Sequence, residues 1–126
     1  MDFEQAFRQA KAIDRRMGEE GHRVYELANL TLANENYDLD IIDITKYAHT
    51  KNALIRLRGR VIGQEGRSRK FIEKHTKTYI SVYGKTISII GTYENLSTAR
   101  RAIIMLLEGA KHPRMYGFLE DLKKKR

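Results

Sequence analysis

Gly63 and Gly66 stand three residues apart between two short helical stretches, and that spacing constrains the chain more than any other feature in it. Thr50 can cap the first helix, whose buried side is Ala53, Leu54 and Leu57. The second covers residues 67–75 and buries Phe71 and Ile72. Both connecting segments are short, so the helices must sit close together around a bend. Glycines lack Cβ atoms, so another main chain can come near that bend. Gly59 is read as a further break in the chain just before it.

The segments on either side fix the architecture. Residues 37–44, rich in β-branched side chains, read as a strand. The alternating stretch 79–83 puts Ile80 and Val82 on one face and Tyr79, Ser81 and Tyr83 on the other. Another strand follows after only Gly84 and Lys85, and glycine in the first of two turn positions predicts a type II′ hairpin. The stripe Leu96, Ala99, Ile103, Leu106 and Leu107 predicts a core-facing helix that stops at Gly109. From residue 37 the order is strand, helix, Gly-x-x-Gly, helix, strand, strand, helix. The fold class is α+β, an antiparallel three-stranded sheet with helices on one face. Residues 1–36 read as a helical N-terminal segment or connector with Phe3, Phe7, Ala10, Ile13 and Met17 at helical spacing. Residues 37–112 read as the domain, and residues 113–126 as a charged, partly helical tail beyond Pro113.

Net charge is +8, and its distribution matters more than its size. Residues 1–55 carry seven basic and ten acidic side chains, residues 56–77 eight and two, and the remainder nine and four. Positive charge concentrated beside the glycine bend is the footprint of a polyanion partner. The helix that starts near Arg67 adds unpaired amides and a partial positive charge at its first turn. Val61, Ile62, Ile72, Ile80 and Val82 are read as the floor of a groove for unstacked bases, which favours single strands over duplex.

The stretch "VIGQEGRSRKFIEKHTKTYISV" resembles the central motif of KH domains, and residues 37–109 follow the type I order. "GRVIG", "TYISVYGKT", "IIGTYENLSTARRAI" and "GAKH" are similar to the second KH domain of archaeal Pno/Krr-group small-subunit ribosome-assembly factors. The resemblance implies a clamp on the backbone of about four nucleotides made by Gly63, Gln64, Glu65 and Gly66. It implies phosphate partners in Arg60, Arg67 and Lys70, and Arg69, Ile62 and Ile80 are counted with them as RNA-binding residues. It also implies single-stranded RNA at the 3′ end of small-subunit rRNA as ligand, in ribosome assembly or rRNA processing. Implied protein partners are the pre-ribosomal subunit, a processing nuclease and the α subunit of a translation initiation factor. It implies no cofactor and no enzymatic activity. Three positions depart from the family pattern: Glu65 lies between the glycines, Arg69 where an aliphatic residue is common, and Lys77 where a helix-ending glycine is common. These relatives usually carry two KH domains, and residues 1–36 resemble the end of the first.

Other readings were weighed against this one. "YGKT" lacks the glycine a phosphate loop needs at position 79, where Tyr79 stands. His22, His49, His75 and His112 are too scattered for a metal site, and cysteine is absent. Asp38, Asp40 and Asp43 read as a solvated strand edge rather than an ion site. No stretch is long and apolar enough for a spanning helix, and the N-terminus lacks a signal-peptide core, so the expectation is a cytoplasmic protein without membrane contact. Two alternatives keep the same fold: a protein-interaction scaffold with weak RNA binding, and a single-stranded DNA-binding regulator.

Overall fold

The computed structural model describes residues 37–124, so the expectation for residues 1–36 lies outside the described residues. Strands β1 (Tyr37–Asp43), β2 (Tyr79–Tyr83) and β3 (Thr86–Thr92) form one antiparallel sheet in the order β1-β3-β2. Helices α1 (Lys51–Ile62), α2 (Arg67–Thr76), α3 (Tyr93–Leu107) and α4 (His112–Lys124) complete the domain. The register places Ile42, Ile87 and Val82 side by side, with Ile89 and Ile80 next to them. All five are buried, and Leu57, Val61, Ile72, Ala99, Ile103 and Leu106 from the helices close over them. Burying side chains of this size stabilises by about 1.5–3 kcal/mol each, before conformational entropy is counted.

Local chemistry sets the element ends. The Thr50 hydroxyl accepts a hydrogen bond from the Ala53 amide at 3.1 Å and caps α1. Tyr83 pairs with Thr86 across the two-residue turn. Gly84 has φ +57 while Lys85 does not take a positive φ, which is the type II′ pattern. After β1, the hydroxyl and the amide of Thr45 both donate to Asp43 and hold its carboxyl below the usual carboxylate range. The stabilising effect of that lowered value is present at neutral pH and is lost as pH falls through it.

Two expectations are corrected. Gly59 does not break the chain: α1 runs through it to Ile62, and a Cβ placed there would meet nothing within 4 Å. Gly59→Ala is therefore expected to raise stability by about 0.5–1 kcal/mol, read as a higher urea midpoint with an unchanged slope. A lowered midpoint would show that the open space is needed.

The segment read as a charged tail is helix α4, which packs on α2 and α3. Met115 and Leu119 sit one turn apart and are buried, so the domain extends past residue 112. α3 already stops at Leu107, just before Gly109 at φ 103, and Pro113 sits in the first turn of α4, where its missing amide is no loss.

Candidate nucleic-acid interface

The bend is built by three unusual backbone conformations within four residues. Gly63 has φ 76 and ψ 171, a region open essentially to glycine alone. Glu65 follows at φ 57, ψ 26 and Gly66 at φ 76, ψ 12, both left-handed. The Gly66 amide donates to the Gly63 carbonyl at 3.1 Å, and the Gly63 amide to that of Gly59 at 2.8 Å. A Cβ on Gly63 would lie 2.7 Å from both the backbone nitrogen and the Cβ of Ser68. The loop is thus pressed against the first turn of α2 with no room for a side chain.

No side chain caps α2, and its first turn holds no acid. The charge at its N-terminus is therefore not neutralised from within the helix. Gln64, Glu65, Arg67 and Lys70 are exposed around it. Lys70 Nζ donates to the Glu65 carbonyl at 3.3 Å, which sets an ammonium beside the bend. A cleft of about 430 Å³ beside the loop is lined by Arg56, Arg60, Gln64, Arg67, His112 and Tyr116, among others.

The remaining residues expected in the site are engaged within the fold. Arg60 lines that cleft, but main chain holds its guanidinium: Nε donates to the Leu106 carbonyl at 3.1 Å and a terminal nitrogen to that of Ala110. Arg69 is only 7% exposed and pairs with Glu73 at 3.3 Å, while the other Glu73 oxygen accepts from the Ile80 amide at 2.8 Å. Ile80 has no exposed surface, and Val61, Ile72 and Val82 are core residues as well. Only Ile62 of the expected floor is half-buried rather than buried.

Ile55 was missed. It is 49% exposed and lies seven residues before Ile62, on the same helical face. Arg58, on that face too, donates to the Gly84 carbonyl at 3.2 Å and ties α1 to the hairpin turn. An apolar residue off the Leu57–Val61 stripe was the available signal for Ile55.

The acids of β1 have a different use. One terminal nitrogen of Arg100 on α3 donates to both carboxylate oxygens of Asp40, at 2.9 and 3.0 Å. Among the described residues, no three His, Cys, Asp or Glu side chains converge on a metal position. No described helix is long and apolar enough to cross a membrane.

A family model described as eukaryotic-type KH domain (KH domain type I) matches residues 38–124. A KH domain-containing protein of Methanocaldococcus jannaschii is 47% identical over 76% of this chain and 42% of its own length. The pre-rRNA-processing protein PNO1 of Chaetomium thermophilum is 38% identical over 54% of this chain and 26% of its own. The chain therefore spans less than half the length of the curated relatives it matches. Among solved structures, the a/eIF2α–aDim2p–rRNA complex of Pyrococcus horikoshii matches with a TM-score of 0.72 and 34% identity. That match covers 84% of this chain and 64% of the other.

Proposed function

The chain belongs to the type I KH domains, in the branch of the second KH domain of PNO1, and from that premise we propose that it binds single-stranded RNA through the bend at residues 63–66. The observation that carries this reading is the Gly63 conformation, which brings an uncapped helix start to an exposed, basic surface. Arg67 and Lys70 meet phosphates at the positive end of α2, and Ile55 and Ile62 offer apolar surface to bases. Arg60, Arg69 and Ile80 support this surface from within. The RNA we propose is the 3′ end of small-subunit rRNA during assembly or processing, and the relatives named for pre-rRNA processing and solved with rRNA support that choice. The α subunit of the initiation factor is the protein partner of the same proposal, with a cytoplasmic setting and no chemical step of its own.

Replacing Gln64 and Glu65 by Asp while keeping both glycines tests the reading. Two added or repositioned carboxylates facing the phosphate path are expected to weaken binding of a short RNA at least about tenfold, with circular dichroism unchanged. Unchanged RNA affinity would favour a protein-interaction scaffold, and tighter binding of DNA than RNA a DNA-binding regulator. With about 3–5 phosphates engaged, affinity should also fall with salt along a clear but moderate slope.

A further inference from the structure

A second cleft, of about 500 Å³, runs along α2 from Lys70, beside the glycine bend, to the C-terminal end of the helix. Its lining includes Tyr37, Lys70, Glu73, Lys74, Lys77 and Tyr79. The three lysines recur at helical spacing on one face of α2 and its cap, and all are exposed. Like charges one turn apart repel. The nearby acid, Glu73, is engaged by Arg69 and the Ile80 amide. Among the described residues, neither Lys74 nor Lys77 has an ion-pair partner.

Lys77 adds a backbone argument. It ends α2 in the left-handed region, φ 54 and ψ 46, with its amide bonded to the Glu73 carbonyl. Glycine takes that conformation without strain, whereas a lysine holds it against its own Cβ. The turn itself therefore does not call for a lysine side chain at this position. Tyr79, a residue 38% exposed at the start of the edge strand β2, completes the site.

We propose that this cleft is a second RNA subsite, which takes a nucleotide of the same strand beyond those held at the glycine bend. Its base stacks on Tyr79, and its phosphate meets Lys74 and Lys77. Stacking on an aromatic ring and a row of ammonium groups is the combination that holds single strands regardless of base. The proposal rests on the RNA-binding reading above, and the experiment separates the two.

Affinities are measured for an RNA of about four nucleotides, which fills the clamp alone, and one of about eight. Lys77→Gly is expected to raise the urea midpoint, because it removes the strain, and yet to weaken the longer RNA about fivefold. The shorter RNA is expected to lose less than about twofold. Tyr79→Leu should show the same length dependence with the salt slope unchanged, since it removes stacking and no charge. Unchanged affinity for the longer RNA in both variants, or equal losses at both lengths, overturns the subsite. A midpoint that falls in Lys77→Gly overturns the strain argument. Failure of the Gln64 and Glu65 double substitution to weaken the four-nucleotide RNA sinks the clamp instead, whatever Lys77 and Tyr79 do.

Discussion

Gly63→Ala is expected to destabilise the domain by about 3–4 kcal/mol and, where it still folds, to abolish RNA binding. Two independent effects add. The conformation φ 76, ψ 171 is strained for any side chain, at about 1–3 kcal/mol. The new Cβ would also overlap the Ser68 nitrogen and Cβ at 2.7 Å, and Ser68 is buried, so neither atom can rotate aside. Relief requires moving the first turn of α2, which is the part that would face phosphate.

Gly66 provides the control. At φ 76, ψ 12 it is in the ordinary left-handed region, and its Cβ would meet only the ends of Arg69 and Lys70, at 3.4 and 3.5 Å. Gly66→Ala should therefore lose only about 1–2 kcal/mol. Urea unfolding of the two variants side by side checks this. Equal, small losses would mean that the loop can relax, and that its shape is not dictated by Gly63.

The contrast between the two glycines shows what could be read from the residues alone. A Gly-x-x-Gly spacing announces a bend but not which glycine is indispensable, because that depends on how closely Ser68 approaches. Features closed within a few residues were legible for the same reason: the Thr50 cap, the Gly84 turn and the alternation of β2 depend only on neighbours in sequence. The groove floor was not legible. Alternation says that Ile80 and Val82 share a face, yet the same pattern serves an open groove and a closed core, and here the helices cover it.

Arg69 was misjudged for a different reason. A basic helix invites treating each cation as solvent-facing, but Arg69, Ile72 and Thr76 recur at three and four residues and form the buried side of α2. Periodicity should have outweighed residue type. The same holds for α4, where Met115 and Leu119 carry the pattern under a charged composition.

Arg60 offers the sharpest test of whether a cation near the bend belongs to RNA or to the fold. The last carbonyls of α3 accept from the amides of Glu108, Gly109 and Ala110, and a guanidinium adds to them because it suits the negative end of a helix dipole. Arg60 reaches across from α1 to the Leu106 carbonyl and on to Ala110, and its own carbonyl lies 2.8 Å from His112 Nε2. It therefore joins α1 to the end of α3 and the start of α4. Arg60→Met keeps most of the packing of the stem but removes every donor. Losing charged hydrogen bonds at a half-buried site is expected to lower stability by about 2 kcal/mol. RNA affinity of the folded fraction should stay within about twofold, with the salt slope intact. Arg67→Ala should do the reverse, leaving stability within about 0.5 kcal/mol and reducing the salt slope by about one. If Arg60→Met instead flattens the salt slope and leaves the urea midpoint in place, the guanidinium contacts phosphate, and the α3 terminus must be held by something else.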